Sequence, residues 1–259
     1  MSALAPVFVE CRAADRAALV TYLPCGYPTV TGGTEAVVAM VESGADIVEI
    51  GVAYSDPVMD GPVIQGAADQ ALRQGVRIAD VFPMAEAVAA AGGAPVVMTY
   101  WNPVLQYGVE RFARDLAAAG GRGVITPNLI PEEAGDWIPA ADASGLDKIF
   151  LVAPSSTTER LTMTCEASSG FVYAASTMGV TGARDTVDNV APELVERVRA
   201  VSNIPVGVGL GVRSREQAAE IAAYADAVIV GSALVSAAGT SLDDVRKLTS
   251  ELAAGVRER

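Results

Sequence analysis

Histidine is absent from these 259 residues, and lysine is confined to Lys148 and Lys247. The usual neutral-pH acid–base group and the commonest zinc or iron ligand are therefore both missing. Proton transfer falls to carboxylates, tyrosines or one of two lysines. Cysteine is scarce as well: Cys11, Cys25 and Cys165 are isolated, odd in number and without metal-ligand spacing, so no metal site is expected. Long apolar runs are lacking, and stretches such as 36–41 and 227–230 are far too short to span a bilayer. Residues 1–20 hold no basic stretch followed by a long apolar run; no secretory signal is expected, and a cytoplasmic location is. Basic charge is in deficit. The net charge of −13 argues against nucleic acid and anionic membrane as partners. A phosphorylated ligand would have to be held by local backbone N–H groups and helix N-termini rather than by a global field.

What is present is core material. Hydrophobic residues make up 51% of the chain, with few aromatics and much Ala, Val and Gly, which suits close helix-on-sheet packing. Short apolar, β-branched runs alternate with amphipathic helical patterns, as repeated βα units require. Strands are predicted over 19–23, 47–51, 95–99, 123–126, 148–152, 171–175, 205–209 and 227–230. Helices are predicted over 33–43, 79–91, 109–119, 131–144, 158–167, 192–201, 214–223 and 242–257. Eight such units over this length favour a (β/α)8 barrel forming one domain over 1–259, with a doubly wound open sheet as the competing architecture. The rhythm stretches only after the second strand, where an extended loop, 52–62, precedes an extra helix, 63–74. Insertions at the C-terminal ends of barrel strands build active sites.

Glu49 lies inside the second strand, in Ile47-Val48-Glu49-Ile50-Gly51. Alternation places Ile47, Glu49 and Gly51 on one face. An ionisable group on a buried strand is costly unless it has a task or a partner. Burial would raise its pKa toward the range useful for general acid–base work; the alternative is a structural ion pair with an arginine. Asp60 follows in the turn-rich segment Ser55-Asp56-Pro57-Val58-Met59-Asp60-Gly61-Pro62, where both aspartates could be turn caps. Asp60 gains weight because its loop leaves the strand end that carries Glu49 and can fold back over it.

Three later segments have the make-up of an anion cradle: Ser176 to Gly182 after strand six, Gly207 to Gly211 after strand seven, and Gly231-Ser232 before a short helix after strand eight. Glycines allow close backbone approach, and a helix opening at Ser232 would aim N–H groups at a phosphate. Barrels often bind phosphate at the loops after strands seven and eight. Lys148, at the start of strand five, and Lys247, in the last helix, are both poorly placed for imine chemistry. Tyr173 faces inward if strand six alternates, either lining the pocket or packing.

With these residues in view, the chain resembles the tryptophan synthase α subunit family. The resemblance rests on Glu49-x-Gly51 followed by Ser55-Asp56-Pro57-x-x-Asp60-Gly61-Pro62-x-Ile64-Gln65. Pro28, Tyr100-x-Asn102-Pro103, Gly179-Val180-Thr181-Gly182, Gly209-x-Gly211 and Gly231-Ser232 extend it from the first strand to the last. It implies a TIM barrel that cleaves indole-3-glycerol phosphate by a retro-aldol reaction to indole and D-glyceraldehyde 3-phosphate, in tryptophan biosynthesis. Glu49 would be the acid–base and Asp60 would accept the indole N–H. Tyr22, Tyr100, Tyr173 and Thr181 would contact substrate, and Gly182, Gly211, Gly231 and Ser232 would hold the phosphate. No cofactor is implied in this chain; pyridoxal phosphate is expected only in a β subunit that receives indole within an α2β2 tetramer. Ala53, Tyr54 and Thr177 stand where the family often has proline, phenylalanine and arginine, which bears on how the loops couple to that partner. A stand-alone indole-releasing lyase and a non-catalytic activating subunit are the other readings.

Overall fold

The computed structural model describes residues 2–175, 190–209 and 211–258. Its strands are β1 (Ala18–Pro24), β2 (Ile47–Gly51), β3 (Ala94–Met98), β4 (Gly123–Ile125), β5 (Asp147–Ile149), β6 (Leu151–Val152), β7 (Val172–Ala174), β8 (Val206–Gly209) and β9 (Ala227–Val230). All pair in parallel, in the order β5-β4-β3-β2-β1-β9-β8-β7-β6. The two end strands are consecutive in the chain and separated only by Phe150. Thr126 N–H donates to the Ile149 carbonyl at 3.4 Å, and Tyr173 N–H donates to the Phe150 carbonyl at 3.0 Å, so this stretch bonds to both ends of the ladder. The sheet thereby curls into a barrel, as predicted. The strand predicted over 148–152 is one stretch of chain split in two.

The helices are α1 (Ala5–Ala13), α2 (Val30–Glu42), α3 (Pro62–Arg73), α4 (Val81–Ala90), α5 (Trp101–Tyr107), α6 (Val109–Ala118), α7 (Trp137–Ser144), α8 (Thr158–Ala167), α9 (Val190–Arg199), α10 (Arg215–Ala222), α11 (Ser232–Ala238) and α12 (Leu242–Gly255). Several begin where a hydroxyl can accept an orphan N–H: Thr29 from Gly32, Thr157 from Arg160, Ser214 from Gln217 and Ser241 from Asp244. The inserted helix α3 lies within a residue of its predicted span. The predicted helix over 131–144 is instead a single 3-10 turn, Pro131–Glu133, followed by α7.

Two helices went unread. Helix α5 is only seven residues long, with Pro103 in its first turn, where a missing N–H costs nothing. Helix α1 plugs the N-terminal end of the barrel. Its Phe8 and Cys11, with Leu4 just before, join inward-facing Ala18, Val20, Ile47, Val96, Ile125, Ile149, Phe171 and Ile229 in one buried cluster. The Phe8 and Phe171 rings lie 5.9 Å apart. Buried Asp147 anchors this stopper: its Oδ2 accepts from the Leu4 N–H and the Ser2 hydroxyl, both at 2.8 Å. At the same end Arg16 grips Asp46 with two bonds of 2.7 and 2.8 Å, and Asp46 also accepts from Leu19 N–H. A larger cluster fills the space between the sheet and the outer helices. With its lower half packed and plugged, the barrel can open only at the C-terminal ends of its strands.

Candidate active site

Glu49 faces the interior on β2, with Tyr22 of β1 and Val96 of β3 as its register partners. Only 1% of it is exposed. Its Oε1 is buried without a hydrogen-bond partner, and among the described residues no cation pairs with it. Burial alone pushes its pKa up to about 8. The ion-pair alternative therefore finds no counterpart among the described residues. A carboxyl that is neutral below this pH and ionised just above it can both deliver and accept a proton.

Asp60 closes over this strand end on the predicted loop. Its carboxyl is half-buried, and burial raises its pKa while a hydrogen bond from the Tyr100 hydroxyl opposes the rise. Tyr100 is itself buried and holds this loop in place. Its hydroxyl accepts from the Val58 N–H at 3.1 Å and the Met59 N–H at 2.9 Å while donating to Asp60. One phenol thus ties down the backbone just before Asp60. The loop has three further ties: Gln65 Nε2 donates to the Asp60 carbonyl at 2.7 Å, Asn102 Nδ2 donates to the Tyr54 hydroxyl at 3.4 Å, and the Tyr54 and Tyr100 rings lie 5.4 Å apart. Asp56 is exposed and accepts from the neighbouring Ser55 hydroxyl at 2.6 Å, as a turn residue does.

Two tyrosines flank Glu49. Tyr22 is 8% exposed and lies within the electrostatic reach of Asp60 and Glu49; burial, then those carboxylates, raise its pKa. Tyr173, on β7, faces the same interior, its hydroxyl kept protonated by burial and by Glu49. Each phenol tip rests on a glycine. A Cβ at Gly51 would stand 2.4 Å from the Tyr22 hydroxyl oxygen, and one at Gly209 would stand 2.5 Å from that of Tyr173. These glycines make room for aromatic rings, a role their sequence context did not reveal. Gly207 serves packing too, since a Cβ there would press on Phe171 and Ile229 at 3.0 Å.

Of the anion cradle, Gly211 adopts φ +69°, a conformation that favours glycine. Gly231 precedes α11, whose first N–H groups have no preceding turn to bond to. Ser232 opens that helix, as predicted. Gly231 also borders Tyr22, the register partner of Glu49. Thr177, Thr181 and Gly182, with the rest of 176–182, lie outside the described residues. Lys148 forms an ion pair with Asp142 on the flank of the barrel, away from Glu49. Among the described residues no group of three or more His, Cys, Asp or Glu side chains could hold a metal ion. No helix among them is long and apolar enough to cross a membrane.

The chain is similar to known proteins along nearly its whole length. A family model described as tryptophan synthase alpha chain matches residues 8–259. The tryptophan synthase alpha chain of Nocardia farcinica is 71% identical over 256 residues, covering 99% of this chain and 96% of that protein. A solved structure of Mycobacterium tuberculosis tryptophan synthase is similar with TM-score 0.96 and 66% identity, covering 99% of this chain and 98% of that one. The tryptophan synthase subunit alpha of Legionella pneumophila shares 30% identity with TM-score 0.86, over 99% and 98% of the two chains.

Proposed function

The chain belongs to the tryptophan synthase alpha chain family, a lyase that cleaves indole-3-glycerol phosphate, and we propose that Glu49 and Asp60 carry out that cleavage here. The observation that carries this reading is a buried, unpaired carboxyl with its pKa near 8, with a second carboxylate on a tethered loop that shares Tyr22 as an electrostatic neighbour. At neutral pH Glu49 is mostly protonated and delivers its proton to indole C3. Positive charge then develops on the ring nitrogen, and the Asp60 carboxylate accepts the indole N–H and stabilises it. The Glu49 carboxylate next removes the proton of the carbinol hydroxyl beside the ring. The C–O bond becomes a carbonyl, the C–C bond breaks, and its electron pair restores the aromatic indole. Indole and glyceraldehyde 3-phosphate leave, and Glu49 is again protonated. The proton count closes without imine or bound cofactor.

Tyr22, Tyr100 and Tyr173 line the indole and glycerol portion of the pocket. Backbone groups of Gly211, Gly231 and Ser232 hold the phosphate together with Gly182, and Thr181 contacts substrate, the last two as the family resemblance assigns. Indole passes to a beta subunit that holds pyridoxal phosphate, in an α2β2 assembly within the cytoplasm. The test is Glu49→Gln. Indole formation from indole-3-glycerol phosphate is expected to fall by about a thousandfold or more, with near-native circular dichroism, since the variant keeps the shape but cannot cycle a proton. Turnover near the parental rate would refute the assignment. Adding the beta subunit to the parental chain is expected to stimulate cleavage; a stand-alone lyase would show no stimulation.

A further inference from the structure

Tyr22 carries a hydroxyl to which the reactions above give no task. Its surroundings fix where that hydroxyl stands. Glu49 is its register partner on the neighbouring strand, Gly231 borders its Cβ and Cδ1, and Gly51 lies against its phenol end. The hydroxyl bonds to no described residue, although the side chain is 8% exposed. Among the described residues the sealed, unpartnered polar atoms do not include this hydroxyl, so it stands open to whatever enters the site and can donate to a ligand there. Its nearest charged neighbours are the two carboxylates assigned to the chemistry, and they favour its protonated, donating form. The side chain also runs from Gly231 toward Gly51. One end borders Gly231, at the phosphate side, and the other reaches Gly51, one side-chain period beyond Glu49 on the same face. In the function proposed above, the three-carbon chain joining indole to phosphate lies beside this ring.

We infer that the Tyr22 hydroxyl donates a hydrogen bond to the carbinol oxygen beside the indole ring, the oxygen whose proton Glu49 removes. Tyr22 is then a further catalytic residue, resting on the roles of Glu49 and Asp60 proposed above. Its own proton stays in place throughout. The bond strengthens as that oxygen gains negative charge and relaxes as the carbonyl forms, so it lowers the barrier more than it tightens binding. Gly51 belongs to the same device, because only glycine leaves the phenol room to reach this position.

Tyr22→Phe keeps the ring and removes only the donor. We expect kcat to fall by about 10- to 100-fold, with KM changing by less than about threefold. A second measurement separates donation from packing. In the Glu49→Gln background, where substrate is not consumed, adding Tyr22→Phe is expected to weaken calorimetric binding of indole-3-glycerol phosphate. Binding of the phosphorylated analogue lacking the carbinol oxygen should not change. Parental kinetics for Tyr22→Phe, or equal weakening of both ligands, overturns this inference while leaving Glu49 untouched. An active Glu49→Gln variant instead overturns the acid–base assignment itself, and the two failures are distinct.

Discussion

Glu49 stores a stability cost that grows with pH, and Glu49→Gln should release it. In the folded chain the carboxyl titrates at about 8 because burial disfavours its charge, against a usual value of 4.5 once the chain unfolds. Between those values the unfolded state has released the proton while the folded state retains it. Stability therefore falls as pH rises through this window, and levels off above about 8, where the folded carboxyl ionises as well. At about 1.4 kcal/mol per pKa unit, the full gap corresponds to about 5 kcal/mol, of which about 4 kcal/mol develops between pH 5 and pH 9. Glutamine fills the same space, stays neutral and has no such dependence. Urea unfolding of both proteins at pH 5, 7 and 9 measures the difference directly. The variant's advantage over the parent should grow by about 4 kcal/mol across that range. An advantage that stays constant with pH would mean that the carboxyl titrates normally in the folded chain. The reasoning about burial and catalysis would fail with it.

Two further outcomes follow from other parts of the barrel. Tyr100→Phe strips the acceptor for the Val58 and Met59 N–H groups and the donor to Asp60; kcat/KM for cleavage should fall by about tenfold or more while the thermal midpoint moves little. Steady-state kinetics equal to those of the parent would show that the loop holds Asp60 by other means. Arg16→Ala leaves Asp46 largely buried without its charge partner at the closed end of the barrel. Denaturant titration should show a loss of about 3–5 kcal/mol, with unchanged kcat per folded molecule because Arg16 is remote from Glu49.

Much of the site could be read from residue order because its parts are local. Glu49 and Gly51 share a face through strand alternation, and Asp60 sits on the loop that leaves the same strand, so their proximity needs only one βα unit. The inserted helix was legible for the same reason, in an apolar period following a proline. The break at Phe150 was not, since it is a property of the sheet's closure and leaves no local signal. The two missed helices differ: α5 is too short for its period to register, whereas α1 does space Leu4, Phe8 and Cys11 helically.

Some things the sequence determined by itself. The lack of histidine and the placing of both lysines confined the chemistry to oxygen acids, and the Glu49-to-Asp60 run named the family. Whether Glu49 had an ionic partner could not be decided along the chain, because any arginine could be brought beside it by folding. Only the tertiary structure left its Oε1 unpaired among the described residues, and burial there raised its pKa. The same holds for Tyr100, whose hydroxyl meets Val58 and Met59 across 42 and 41 residues of chain. It holds again for Gly51 and Gly209, whose missing Cβ atoms matter because of rings on other strands. Contacts between distant segments depend on how strands pack around the barrel, and strand alternation fixes which face a residue takes but not what stands opposite it.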